Sequence, residues 1–276
     1  MKTSIDDLTV LQSRVVAAVE RAGSLLLSRF KASARPADIQ SISTAIAAND
    51  AAVIHPLREA LLAALPGSRW VENEEGEGVL PAGDWWIVDP VEGNINHIHG
   101  RAGWGVTATL IRNGAALLTV ATVPLAGETY SAIEGNGAYL NGRALVASAK
   151  RHLNAAIVGT CQARPGEDAA TYARMASSVE GLLANALLVR MSVPSTLELL
   201  DVASGKIDGF WQFSQVRSGL ASGALLVKEA GGCVSDSRGE KWTLESKDFV
   251  AAAPGVHAAM VDCLSQTEDL LVEQSA

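Results

Sequence analysis

Asp89 and Glu92 stand three residues apart in the stretch Asp89-Pro90-Val91-Glu92-Gly93-Asn94-Ile95-Asn96. Carboxylates at that spacing across a Pro/Gly turn can converge on one point, as a hard divalent cation requires of oxygen ligands. The backbone N–H groups of Gly93 and Asn94 then open the next element, where an anion can sit. A plainer alternative is a turn whose acids only cap backbone groups, and the spacing is compatible with both. Upstream, Glu72, Glu74, Glu75 and Glu77 form an acidic run that, by itself, reads as a solvated face. Downstream, small residues from Ser218 to Gly223 lead into Ala224-Leu225-Leu226 and Glu229-Ala230-Gly231-Gly232. Alone, this says a closely packed helix ended by a glycine cap.

These residues need elements to hold them. Apolar residues at helical spacing (Leu8, Leu11, Val15, Val19, Ala22, Leu26) predict an amphipathic helix from Ile5 to Phe30. A second helix is expected from about Asp50 to Leu65, stopped by Pro66-Gly67, with Pro56 kinking it or marking its true start. The run WWIV between Asp84 and Asp89 reads as a buried strand that delivers Asp89 to the turn. Asn113-Gly114 and Asn141-Gly142 are hairpin signals. After Lys150 the apolar runs AAIVGT, LLVRMSV, IDGFWQF and DFVAAA alternate with helical stretches, an α/β pattern. The expected organisation is one compact unit of two parts. Residues 1–150 carry the helix pair and a hairpin-rich sheet, and residues 151–276 the alternating part.

Composition narrows the class. With 276 residues, a net charge of −8, 48% hydrophobic and 19% charged residues, the chain is too apolar for disorder and too acidic to bind nucleic acid electrostatically. Cys161, Cys233 and Cys263 are odd in number and lack C-x-x-C spacing, which argues against a disulfide framework or a thiolate zinc site. The opening MKTSIDDLTV carries two Asp where a signal peptide needs an apolar core, and no window approaches ~18 uninterrupted apolar residues. A cytoplasmic protein with no membrane partner is expected.

Taken in order, the leading helix, the Glu-Glu stretch, the Asp89 turn, Tyr139-Leu140-Asn141-Gly142 and Ser218–Gly232 resemble the inositol monophosphatase family of magnesium-dependent small-molecule phosphatases. The family's motifs read W-x-x-D-P-x-D-G-T-x-N-F and W-D-x-A-A-G-x-L-L-x-x-E-A-G-G. The resemblance covers nearly the whole chain and implies an α/β fold, a layered αβαβα sandwich, with a homodimer plausible. It also implies metal ligands at Glu74, Asp89 and Glu92, where Glu74 rather than Glu75 best matches the first Glu of the family's pair.

The departures fall on the chemistry. Glu92 replaces an Asp, with a side chain one methylene longer. Gly219 stands where the family's W-D has its ligand Asp, and Ser218 where it has Trp. Asn94 replaces the Thr that, with an upstream Asp, orients the attacking water. Thr44 falls at that Asp and Asp50 at the second Asp of the same stretch, so the water-activating pair is expected to be missing at both ends. Gln212 falls at a substrate-reading acid, keeping hydrogen bonds without charge.

His97 stands where the family has Phe. It is either a packed structural residue or, oriented by Glu92, a general base. Arg217, beside the deleted Asp, either anchors a carboxylate or phosphate or makes a surface ion pair.

The function expected from the resemblance is hydrolysis of a small phosphorylated metabolite, with a degraded metal site in which magnesium binds weakly or not at all. Glu92, His97, Thr44 and Asn94 are its candidate catalytic positions, and Gly93, Asn94, Gln212 and Arg217 its candidate substrate contacts. The first alternative is a metal-independent lyase, cyclase or hydrolase using Glu92, His97 and Arg217. The second is a non-catalytic homologue that binds an anion or a partner protein.

Overall fold

The computed structural model describes residues 5–72, 79–163, 166–213 and 217–275. Helix α1 (Ile5–Arg29) presents Leu8, Leu11, Val15, Val19, Ala22 and Leu26 as one buried stripe. Helix α2 spans Ile39–Ala64, so it begins well before Asp50. The Asp38 carboxylate accepts from the Ser41 N–H at 2.8 Å, and the Ser41 hydroxyl faces the Asp38 N–H at 3.1 Å. This reciprocal cap supplies a start that the polar stretch after it conceals from hydrophobic periodicity. Pro56 lies inside the helix.

The first sheet runs in the order β1 (Arg69–Trp70), β2 (Asp84–Glu92), β3 (Gly105–Arg112), β4 (Ala115–Val123), β5 (Glu128–Ile133), β6 (Ala138–Leu140) and β7 (Arg143–Ala144). From β2 onward it is antiparallel, with tight turns at Asn113-Gly114 and Asn141-Gly142. Asn113 and Asn141 take positive φ, as such hairpin turns require. The short helix α3 (Asn94–Ile98) follows β2 directly.

The second sheet has the order β11-β12-β10-β8-β9. It is built from β8 (Ile157–Thr160), β9 (Leu188–Met191), β10 (Gly209–Gln212), β11 (Cys233–Ser235) and β12 (Phe249–Ala252). Strands β8, β9 and β10 are parallel, and β12 is antiparallel to both of its neighbours. Parallel strands need crossovers, and α4 (Ala169–Asn185) and α5 (Ser195–Ala203) supply them.

Helices α1 and α2 cover one face of the first sheet. Helix α6 (Arg217–Glu229) packs against both sheets and against α5, while α4 and α7 (Pro254–Ser275) cover the outer face of the second sheet. The result is the layered αβαβα order that the resemblance implies. The small residues Ser218, Gly219, Ala221, Ser222 and Gly223 are buried in α6 because the helix lies between two layers. At Gly223 an added Cβ would collide with Leu199 of α5.

Candidate functional site

In a regular strand, residues three apart point to opposite faces, so Asp89 and Glu92 would diverge. They do not, because β2 carries a bulge between them. Asp89 pairs with Thr107 and Glu92 with Gly105, three residues on one strand against two on the other. The extra residue at Pro90-Val91 returns Glu92 to the face of Asp89. Proline is tolerated there since no ladder hydrogen bond is required of it. Asp89 also accepts from the Val91 N–H at 2.9 Å, which fixes the bulge.

Glu92 is 2% exposed. Its Oε2 accepts from the Thr196 hydroxyl at 2.6 Å, and Asp89 lies in hydrogen-bonding contact with it. Burial, reinforced by the negative charge of Asp89, pushes the Glu92 carboxyl well above the usual carboxylate range. Gly93 then turns the chain into α3 with φ +71, and a Cβ there would stand 2.6 Å from the Gly103 carbonyl oxygen. Only glycine fits both constraints. The first bonds of α3 run from the Asn96 and His97 N–H groups to the Gly93 carbonyl, so the N–H groups of Asn94 and Ile95 have no partner within the helix.

Asn94, the first residue of α3, sits in a polar chain whose orientation is set by groups that can play only one role. Arg29 Nε donates to Asn49 Oδ1 at 3.0 Å, so the Asn49 amide nitrogen must donate. It does so to Asn94 Oδ1 at 2.9 Å and to His97 Nδ1 at 3.0 Å. Asn94 Nδ2 in turn donates to Asp50 Oδ1 at 3.0 Å and to the Ile46 carbonyl at 3.3 Å. Burial moves the Asp50 carboxyl up, opposed by the bond from Asn94.

Two sequence expectations change here. Thr44 is exposed on α2, and its hydroxyl donates to the Gln40 carbonyl one turn back at 2.8 Å. The acid that faces position 94 is Asp50, one and two-thirds turns further along α2. The pair is thus altered at one end rather than lost at both.

His97 is not placed as a general base. Its Nε2 faces the Leu26 carbonyl at 3.0 Å, which can only accept, so Nε2 carries the proton and Nδ1 accepts from Asn49. Both nitrogens are thereby used. The ring is 3% exposed and packs edge-on against Phe30 and Trp104, with centroids 5.5 Å and 4.7 Å away. Burial lowers its pKa and keeps it neutral. The acid/base couple of Glu92 and His97 therefore has no support in the geometry, and Glu92 turns to Thr196 instead.

Gln212 ends β10 and Arg217 begins α6, both buried. Glu74, Glu75 and Glu77 lie outside the described residues. Glu72 is exposed and pairs with Arg58 at 2.6 Å, as a solvated acid does. Among the described residues no three His, Cys, Asp or Glu side chains come together as a metal cluster. Asp89 and Glu92 supply two carboxyl groups of such a set. Position 219 supplies none, and its space is taken by hydroxyl groups of α5.

Sequence reasoning did not single out Thr196, Ser195 or Asn49. Thr196 follows Pro194 at an ordinary helix start, and no local spacing ties it to Glu92. Asn49 precedes Asp50, and only the helical register of α2 brings both to α3.

A model of the inositol monophosphatase family matches residues 7–269. A protein of Neisseria meningitidis serogroup B named putative Nus factor SuhB is 34% identical over 210 residues, 76% of this chain and 80% of that protein. The inositol-1-monophosphatase of Rhizobium meliloti is 30% identical over 212 residues, 76% of this chain and 79% of that protein. The solved inositol monophosphatase from Anabaena (Nostoc) sp. superposes with a TM-score of 0.77 at 22% identity, covering 94% of this chain and 96% of that one.

Proposed function

The chain belongs to the inositol monophosphatase family, and on that premise we propose that it binds a small phosphorylated metabolite at the Asp89–Asn94 turn and hydrolyses it slowly. The observation that carries this reading is the Asn94 amide seated on Asp50 at 3.0 Å. A hydroxyl in that place can accept from water while donating to the acid. The Asn94 amide nitrogen only donates, and its oxygen is already engaged by Asn49. Water is therefore not oriented through position 94, and the positioned-base contribution of roughly 10²- to 10⁴-fold is what the chain forgoes.

What remains is binding and positioning. The Gly93 and Asn94 N–H groups at the start of α3 suit phosphate oxygens, Arg217 suits a second anionic group, and Gln212 suits a hydroxyl without adding charge. Members of the family are generally magnesium-dependent. In this chain Asp89 and Glu92, together with Glu74, would hold one cation, weakly because Glu92 already serves Thr196. When bound, such a cation neutralises phosphate charge. Phosphoryl transfer depends mostly on positioning and charge neutralisation, so slow turnover survives the loss of other parts.

A second reading is favoured by one observation: the relatives from Neisseria meningitidis and Pseudomonas aeruginosa, at 34% and 35% identity, carry the name Nus factor SuhB. On that reading the chain acts by binding a protein partner, and the pocket is a remnant or a sensor. A homodimer in the cytoplasm belongs to either reading. Among the described residues no helix is long and apolar enough to cross a membrane.

Phosphate release from inositol 1-phosphate and p-nitrophenyl phosphate, followed alongside calorimetric binding of inorganic phosphate, separates the readings. Binding with slow, magnesium-stimulated release supports the first. Neither binding nor release leaves the second.

A further inference from the structure

Position 219 is where the chain drops a side chain altogether. Gly219 is the third residue of α6 and its φ is not positive, so nothing in its backbone calls for glycine. Space does. A Cβ built there would stand 2.5 Å from Thr196 Oγ1, 3.1 Å from Ser195 Oγ and 3.7 Å from Glu92 Oε2. The first of these distances is far inside van der Waals contact, so a side chain from α6 and the Thr196 hydroxyl in its present place exclude one another.

Thr196 cannot yield freely. It is fully buried, β-branched, and spends its hydroxyl on Glu92 at 2.6 Å. A carboxylate stem reaching from α6 toward Glu92 would have to break that bond, and the Glu92 oxygen it serves is one that a second cation beside Glu92 would need.

We propose that Thr196 and Gly219 form a matched pair that closes the second cation position, so that the chain holds at most one divalent cation and Thr196 sets that limit. The inference rests on the reading of this pocket as that of a family phosphatase. It states where the described residues do not fit a two-cation arrangement: a neutral donor from α5 occupies the place of an anionic ligand from α6. Restoring the Asp alone would then fail for want of room.

The test uses the full-length chain, magnesium alone as the probe, and two readouts that do not involve turnover. In thermal melts, Gly219→Ala should lower the melting temperature by several degrees in the wild-type background and by less than half as much in a Thr196→Ala background. In calorimetric titration, wild type should bind no more than one magnesium, Gly219→Asp should gain none, and Thr196→Ala/Gly219→Asp should gain one. The proposal is overturned if Gly219→Ala costs the same in both backgrounds or if wild type binds two ions. Gain of an ion by Gly219→Asp alone, or a folded double variant that gains none, overturns it equally. Should the double variant fail to fold, the alanine cycle and the wild-type stoichiometry still decide. Absence of phosphate release by wild type would count against slow hydrolysis while leaving these melts and stoichiometries unaffected.

Discussion

Asn94 donates to Asp50 at 3.0 Å while accepting from Asn49 at 2.9 Å, so a single amide is clamped between two neighbours on α2. The donated bond favours the ionised form of Asp50 and opposes the upward push of burial. Asn94→Ala removes it, so the Asp50 carboxyl should titrate at a higher pH than in wild type. Carboxyl-carbon NMR titration reads this directly, and an unchanged or lower value would contradict the assigned direction of the amide.

Thr44 offers the contrast. Its hydroxyl serves only the Gln40 carbonyl on an exposed face of α2. Thr44→Ala is expected to leave phosphate release unchanged and stability within about 0.5 kcal/mol. A tenfold loss of turnover would return Thr44 to the site.

Glu92 makes stability depend on pH in a stated direction. Its folded pKa lies well above the ordinary 4.5, so between those two values the folded chain binds more protons than the unfolded one. Stability then falls as pH rises through that window and returns as pH falls. Asp50 acts in the same sense from 3.8 upward. His97, lowered from 6.5, acts oppositely: its contribution is present above 6.5 and is lost as pH falls through its folded value. Glu92→Gln separates these effects, because an amide imitates the protonated acid toward both Thr196 and Asp89. Without magnesium at pH 7.5 this variant should melt higher than wild type and show a flatter pH dependence. A lower melting temperature there would mean that Glu92 is stabilised as a carboxylate.

His97→Phe tests the structural assignment of the ring. Phe preserves the contact with Phe30 and Trp104 but leaves one Asn49 amide hydrogen unpaired while the other stays on Asn94, and leaves the Leu26 carbonyl with only the Phe30 N–H. The expected loss is about 1–3 kcal/mol in chemical denaturation. The shape of the pH–turnover profile should not change. Disappearance of an ionisation from that profile would reinstate His97 as a base.

The fold was legible because its signals are local: the stripe of α1, the WWIV strand, two Asn-Gly turns and the glycines around α6. The site was legible where one stretch of chain builds it, from Asp89 to Asn94. It became obscure where two stretches meet. The convergence of Asp89 and Glu92 depends on a bulge that shows only in the β2–β3 register. The partner of Asn94 was misassigned between Thr44 and Asp50, the two matched positions of one family stretch, because only the packing of α2 against α3 shows which of them faces Asn94. The compensation for Gly219 lies at Thr196, across an interhelical contact without a sequence signature.

The central claim is that Asn94, by occupying Asp50, removes the water-orienting function while the phosphate pocket remains. Oxygen exchange between ¹⁸O-labelled inorganic phosphate and water, with magnesium present and myo-inositol added as the alcohol, tests it, since re-forming the ester expels one phosphate oxygen as water and the following hydrolysis brings in another from solvent. The expected result is slow exchange by wild type that rises about tenfold or more in Asn94→Thr, within the range a positioned group contributes. Exchange by wild type as fast as that of Asn94→Thr would contradict the account.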